Sequence, residues 1–478
     1  MMRSAAITIV LLTSACSLVH PVHVTPPSAP HAFAMSSDAA DDTPHASGPA
    51  ERLTKNEVWW SAFHDPAFDA AIQEAFKNNL FTRDVRGLIY ENQIDPVVPQ
   101  GWWWPLQIGV LTPATVQHVK AYIPPGGPSA TVEYNRQAIN LSATYQVDLW
   151  GNIDAQRRAG LNFAEQQRQN VENQVQNLAM QIGQAWFDIL ETRALRDLTL
   201  TQIKYNQELY ELVKARFEQH LTPRLVVLQQ EQLLVNLQSQ VPLITARLAL
   251  LNSQLHQYLG RMPSPADDIV PLERQLPNLP PAPSIGTPSD LDANTPEMRL
   301  AHLRVEEVQH RINANLSSWL PVVQLIGTIG TSRTDPKEGF VKEYAAGVTM
   351  TWIMFDGRRV TEARQLPMQL KRREVQYKLA LQTAVGRVQD AVVRETSQAT
   401  SLQSLRSQVE LGRQLLAEAR RLFEQGQSDY LPVLTALNNQ VELERAGLQA
   451  QRLLLNYRVE LYRALGGNWS YDVTLLRE

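Results

Sequence analysis

The chain of 478 residues holds a single cysteine, Cys16. No disulfide framework can staple it, and no cysteine nucleophile can serve a site further along. Positive charge is not in excess either: 44 basic against 48 acidic side chains leave a net charge of −4, which offers no electrostatic footprint for nucleic acid. No apolar run reaches the roughly 18 residues that a bilayer-spanning helix needs, and the mean hydropathy is −0.26. Any membrane role must come through β-strands, whose signal per segment is weak. HExxH, GxSxG and Walker sequences are missing, so the common enzymatic readings lose their motifs. Proline is missing from Gly151 to Leu221 and again from Met368 to Leu431, two stretches free of the commonest helix breaker.

What is present begins with a secretory signal over residues 1–15. Arg3 supplies its positive start, and Ala5 to Leu12 form an apolar core too short to be a span. It ends at Thr13-Ser14-Ala15-Cys16, small residues followed by the lone cysteine. One reading is a chance cysteine; the sharper one is a lipoprotein cleavage box that leaves a lipid-bearing Cys16 as the first mature residue. Residues 16–50 are rich in Pro, Ser, Ala, His and Asp and read as a flexible tail. That tail holds His20, His23, His31 and His45, but no second cluster converges on them, and no metal site is assigned.

The chain also repeats itself at an offset of 206 residues. Gly151 maps to Gly357, Phe217-Glu218-Gln219 to Phe423-Glu424-Gln425, and Leu259-Gly260 to Leu465-Gly466. So long a period is no solenoid repeat; it is a duplicated half-protein. The first half runs over 51–261, a proline-rich linker over 262–290, the second half over 291–467, and a short tail over 468–478.

Each half reads as helix, β-hairpin, very long helix, return helix. The first helix spans Ala67 to Asn79, and Pro296 to Ser317 opens the second half. Strand-like runs are Leu106 to Leu111 and Asn140 to Trp150, then Val322 to Ser332 and Tyr344 to Phe355. Val171, Val175, Leu178, Ile182, Ala185 and Ile189 step as a heptad seam. Their partners 206 residues on are Tyr377, Leu381, Ala384, Val388, Ala391 and Glu395. A helix of roughly 67 residues is ~100 Å long, far beyond an ordinary globular core. A Gln- and Asn-rich stretch (Gln166, Gln167, Gln169, Asn170, Asn173, Gln174, Gln176, Asn177) suits either a water-filled bore or a plain solvated face. The helix pairs turn near His220-Leu221-Thr222-Pro223 and Gly426-Gln427-Ser428-Asp429.

Two hairpins give four strands, which cannot close a membrane barrel, and an open edge in lipid leaves backbone groups unpaired at several kcal/mol each. If the strands lie in a membrane, several chains share one barrel. The expected class is therefore mainly α with a small β part, an internally duplicated coiled-coil barrel with four strands per chain.

The motifs Trp59-Trp60-Ser61-Ala62-Phe63-His64-Asp65-Pro66, Tyr145-Gln146-Val147-Asp148-Leu149-Trp150-Gly151, Trp319-Leu320-Pro321 and Gly426-Gln427-Ser428-Asp429-Tyr430-Leu431-Pro432, in that order, carry a family resemblance. The chain resembles the TolC-type outer-membrane efflux factors, in the NodT/OprM-like lipoprotein branch that serves resistance-nodulation-division pumps. The resemblance implies a homotrimer with a twelve-stranded transmembrane β-barrel and a long periplasmic helical tunnel. It implies no cofactor and no catalysis. The implied partners are a periplasmic adaptor, an inner-membrane pump and outer-membrane lipid.

It also implies a gate at the helix turns, where this chain departs from the usual pattern. The family commonly has an acid where Thr435 stands, so Asp429 is the nearest carboxylate for an acidic ring, with Tyr430 and Arg224 beside it as further aperture candidates. His220 stands where the family often has glycine. With Thr222, Gly426 and Ser428 it is a candidate for the adaptor-docking tip. The rival readings are a type I secretion or metal-efflux conduit, and a periplasmic adaptor lipoprotein. The last would carry one helical hairpin rather than two.

Overall fold

The computed structural model describes residues 58–84, 106–112, 114–121, 130–264, 268–333 and 339–466, with Phe33 and Gly87 besides. The signal segment, Cys16, the tail to residue 50 apart from Phe33, Trp102 to Trp104 and the C-terminal tail lie outside the described residues. The chain divides into two compact units; one takes in 91–166 and 301–376, the other 27–90, 167–300 and 377–478.

Element by element, a 3-10 turn Trp59–Phe63 leads into α1 (Pro66–Asn78). Asp65 caps α1, its Oδ1 accepting from the amides of Ala67 at 3.1 Å and Phe68 at 3.4 Å, and Pro66 fills the first helical position, where its missing N–H costs nothing. Then come β1 (Leu106–Leu111), β2 (Ala114–Ala121) and β3 (Ala130–Val147), followed by α2 (Asn152–Glu218) and α3 (Arg224–Tyr258). The second half supplies α4 (Asp290–Asn294), α5 (Pro296–Ser317), β4 (Val322–Arg333), β5 (Val341–Thr351), α6 (Gly357–Glu424) and α7 (Tyr430–Ala464). The last residues of α2 and α6 are 206 apart, and so are both ends of α3 and α7.

The sheet runs β1-β3-β4-β5, all antiparallel, with β2 pairing further along β3. Four strand positions stand, as the sequence implies, but the limits of two strands shift at both ends, β3 to Ala130–Val147 from Asn140–Trp150 and β5 to Val341–Thr351 from Tyr344–Phe355. β1 ends just before Thr112-Pro113, and proline has no amide to donate to a ladder, so the outgoing strand is two segments rather than one. β3 begins at Ala130 instead of Asn140, and its pairing with β4 from Gln137↔Arg333 to Val147↔Val323 joins the two hairpins into one sheet.

α6 starts at Gly357 and passes through Pro367, as α3 passes through Pro242. Both prolines sit on exposed faces, where a lost backbone bond can be met by water. The heptad seam is buried throughout, Ile182 and Ile189 completely. Glu395 is buried in it too, at 3 % exposure, because Arg458, itself 2 % exposed, places Nη2 2.5 Å from its carboxylate.

The main core gathers the aromatic rings near the start of the described chain. Trp59, Trp60, Phe63, Phe68 and Phe76 pack with Trp186, Phe187 and Tyr462. Trp59 stacks on Tyr462 with centroids 5.8 Å apart, and its ring lies 3.3 Å from where a Cβ on Gly183 would stand. The double tryptophan is thus a core plug between helices.

The Gln- and Asn-rich stretch of α2 is not a plain solvated face. Gln166, Gln169 and Gln176 are buried and the other five half-buried. Their amides serve charged neighbours instead: Gln166 Nε2 donates to Glu307 at 2.8 Å, and Asn177 Oδ1 accepts from Arg463 Nε at 3.0 Å.

Candidate functional site

Two places concentrate the unusual chemistry: the sheet in one unit, and the two helix turns in the other.

In the sheet, side chains alternate with the strand period. The register aligns Val110, Leu141, Ile329 and Tyr344 across all four positions, and likewise Leu106, Tyr145, Leu325 and Val348. These rows share one face, and most of it is open: Ile108 is 67 % exposed, Ile329 63 % and Val348 67 %. The opposite face carries Gln107, Thr144, Ser142, Thr328, Asn140 and Glu343. There Arg136 Nη2 lies 2.5 Å from Glu343 Oε2 and Ser332 Oγ donates to the same oxygen at 3.0 Å, while on the apolar face, at its far end, Arg333 Nε donates to Gln137 at 2.9 Å. A sheet that is apolar on its exposed face and polar on the other matches a barrel wall in lipid, with a wet interior. Tyr344 and Trp352 bound the apolar row of β5 eight residues apart, about 26 Å along the strand, close to the ~25 Å apolar band of outer-membrane barrels. Neither β1 and β2 nor β5 has a second strand partner among the described residues.

The turns after α2 and α6 are built alike. His220 N–H donates to Phe217 O at 2.9 Å and Leu221 N–H to Arg216 O at 2.9 Å; Gly426 N–H donates to Phe423 O at 2.9 Å and Gln427 N–H to Leu422 O at 2.9 Å. This paired pattern ends a helix through one left-handed residue. That residue is His220, φ 61°, in the first turn and Gly426, φ 72°, in the second. Beneath the turns Leu209, Val213, Phe423, Tyr430, Val433 and Leu437 form one buried cluster.

A buried polar chain crosses this cluster. The Tyr430 hydroxyl donates to Gln230 Oε1. Gln230 Nε2 donates to Asn206 O and Oδ1, both at 3.0 Å, and Asn206 Nδ2 to Gln202 O at 2.8 Å. Burial, and then Tyr205 nearby, pushes the Tyr430 phenol above its ordinary pKa, so it stays a donor. Arg216 closes the pair from outside: Nη1 donates to Phe423 O at 2.9 Å and Nη2 to Glu424 O at 3.2 Å, with the guanidinium 4.5 Å from the Phe423 ring centre.

The sequence-derived residues divide accordingly. Asp429 is exposed, stands at the start of α7, and makes no side-chain capping bond. Arg224 and Thr435 are exposed; the Thr435 hydroxyl donates back to Leu431 O at 2.9 Å. Tyr430, in contrast, is 3 % exposed and supports the turn from inside. His220 and Gly426 are exposed, Ser428 half-buried and Thr222 buried. The structure adds an apolar rim that single-residue reasoning missed: Leu221, Leu225 and Leu431 are each at least 64 % exposed. Their signal was available as leucines flanking a turn where polar residues are expected.

Residues 129–261 and 287–467 match the family profile described as outer membrane efflux protein. Among similar proteins is the pyoverdine export outer membrane protein OpmQ of Pseudomonas aeruginosa, 24 % identical over 435 residues, covering 87 % of this chain and 88 % of that one. The toluene efflux pump outer membrane protein TtgC of Pseudomonas putida is 25 % identical over 444 residues, 89 % of this chain and 88 % of its own. Solved structures of like fold include the outer-membrane channel OprN, TM-score 0.77 at 21 % identity over 94 % of this chain and 99 % of that one. The open-state MtrE channel of Neisseria gonorrhoeae aligns with TM-score 0.73 at 18 % identity, over 94 % and 98 % of the two chains.

Proposed function

The chain belongs to the outer membrane efflux protein family, and on that premise we propose that three copies of it build one conduit, fed by a periplasmic adaptor and an inner-membrane resistance-nodulation-division pump. The observation that carries the trimer is the sheet. One face is apolar and exposed, and neither edge position has a further strand partner among the described residues. Each unpaired backbone group costs several kcal/mol in hydrocarbon, so the edges need partners, and three four-position sheets close a twelve-stranded barrel within the size range of outer-membrane barrels. Cys16, as the lipid-bearing first residue of the mature chain, would anchor the assembly without spanning.

Passage through such a conduit is a matter of aperture and charge. Asp429, Arg224 and Thr435 are among the exposed polar groups at the turns, and in a trimer each repeats three times. A ring of three Asp429 carboxylates attracts cations and repels itself, which biases passage and loosens closure. Tyr430 acts behind them as a support. His220, Gly426 and Ser428, with the leucines around them, form the tip that meets the adaptor; Thr222 holds that tip from within. The cargo is small molecules, and the chemistry at the turns does not narrow it further.

Fractionation tests the reading directly. The protein should sediment with outer membranes and migrate as a heat-labile trimer on gels; a monomeric periplasmic species would overturn it. In planar bilayers, Asp429→Asn should lower cation preference, and an unchanged preference removes Asp429 from the aperture.

A further inference from the structure

The two copies differ most in charge where the long helices begin. Residues 357–373 contain six cations and one carboxylate (Arg358, Arg359, Arg364, Lys371, Arg372 and Arg373 against Glu362), whereas the copy at 151–167 contains two of each. The first junction is also closed. Asp148 holds the amides of Ile153 and Asp154 at 3.1 and 2.9 Å, Asp154 pairs with Arg157 and Arg158, each at 2.7 Å, and the Trp150 indole is half-buried, donating to Pro321 O at 2.7 Å.

At the second junction the same chemistry faces outward. Trp352 is 58 % exposed, Met354 77 % and Phe355 78 %. The Trp352 indole N–H is already satisfied by Trp319 O at 3.0 Å, so its exposed ring is apolar surface. At the start of α6, one and seven residues past Gly357, Arg358 and Arg364 are both exposed, and neither pairs with a carboxylate among the described residues. Arg359 is the one that is held, by Ser318 O and, at 3.5 Å, by Asp356.

We propose that this junction seats the headgroup of an anionic phospholipid, with Trp352, Met354 and Phe355 against the acyl boundary and Arg358 and Arg364 on the phosphate. The proposal rests on the membrane reading of the sheet. Two observations select that occupant. An amphiphile is required, because exposed apolar side chains adjoin unpaired cations. The geometry is that of an interface: Trp352 continues the apolar row of β5 at its end, where aromatic belts sit, and the two arginines follow over a rise of ~9 Å, comparable to a headgroup layer. Arginine stems lie along apolar surface while their heads reach phosphate.

The test uses full-length protein in phosphatidylcholine vesicles doped with spin-labelled phosphatidylglycerol or spin-labelled phosphatidylcholine, comparing the motionally restricted fraction of each. The wild type should prefer phosphatidylglycerol by about fivefold or more at low salt, and the preference should fall towards one at about 0.5 M NaCl. Arg358→Gln/Arg364→Gln should abolish it, while Arg406→Gln, at an exposed arginine elsewhere on α6, should leave it intact. Equal restriction of both lipids by the wild type overturns the headgroup seat and points to burial of this patch by a second copy, with the membrane sheet still standing. A preference that persists in the double variant also overturns it. If neither lipid is restricted, the protein is not in the bilayer and the conduit reading itself fails.

Discussion

Replacing His220 by glycine should strengthen the turn after α2, and replacing Gly426 by alanine should weaken the turn after α6 by a similar amount. Both residues close the same hydrogen-bond pattern with positive φ, 61° and 72°. A side chain in that conformation costs about 1–2 kcal/mol through contact of Cβ with the following carbonyl, and glycine escapes the cost but loses roughly 0.5–1 kcal/mol in backbone entropy on folding. His220→Gly should therefore gain about 0.5–1 kcal/mol. Gly426→Ala should lose about 0.5–1 kcal/mol by the same two opposed effects, with no steric clash added, since nothing lies within 4 Å of where its Cβ would stand. Local opening is the right observable, because it reads each turn separately and does not require global unfolding to be two-state. Amide exchange with mass-spectrometric readout would follow the N–H groups of Leu221 and Gln427, which donate to Arg216 O and Leu422 O. The first should exchange about two- to fivefold more slowly in His220→Gly, and the second about two- to fivefold faster in Gly426→Ala. Faster exchange of Leu221 in His220→Gly would refute the strain argument, because it would mean the imidazole holds the turn by contacts that outweigh its φ.

Gly260→Ala should be far more damaging than Gly426→Ala, because its Cβ would fall 2.3 Å from the Asn78 carbonyl oxygen on top of a φ of 76°; yield of heat-labile trimer should collapse, and normal yield would contradict the packing. Arg458→Met should cost about 3–5 kcal/mol by leaving Glu395 buried and unpaired, while Arg458→Met with Glu395→Leu should recover most of it, read as the temperature at which trimer is lost. Asp154 is held below its ordinary pKa, first by the hydrogen bond from Arg157 and against its own desolvation. The lowered value means that its contribution is complete above the unfolded-state pKa and is lost as pH falls through the folded one. Amide exchange at the start of α2 should accordingly rise only below about pH 4, by less than ~1 kcal/mol because the pair is well solvated, and Arg157→Ala should flatten that rise.

The helix architecture was legible because its signals are local or periodic. A seam stepping through Val171, Val175 and Leu178 needs no partner to be recognised, and an offset that maps Phe217 to Phe423 also maps the end of α2 to the end of α6. Strand limits were less so: the first part of β3 mixes Glu133, Asn135 and Arg136 with Val132 and Tyr134, and only its pairing with β2 makes it a strand. Buried polar groups were hardest. Glu395 looks like a wet break in the seam until Arg458, 63 residues on, is placed beside it. Tyr430 looks like a turn residue until Gln230 and Asn206 are brought beneath it. The glutamines of α2 read as a solvated face because nothing in their own sequence names Glu307 or Arg463 as partners.

The places where the copies diverge follow a physical rule rather than chance. The linker between the halves has no duplicate, so the side chains that hold it cannot be duplicated either. Arg193 donates to Val270 O at 2.8 Å and to Pro271 O at 3.0 Å, and 206 residues on stands Ala399. Arg458 donates to the carbonyls of Pro280 and Pro281, and 206 residues back stands Asn252, which reaches only as far as Asp268, at 2.6 Å. Proline-rich backbone has carbonyls to satisfy and few amides to offer, and arginine, with several donors and no acceptor, is the residue that meets that need. The same logic reaches the two junctions at the ends of the sheet: Asp148 and Asp154 settle the first, whereas Arg358 and Arg364 at the second have no carboxylate partner among the described residues.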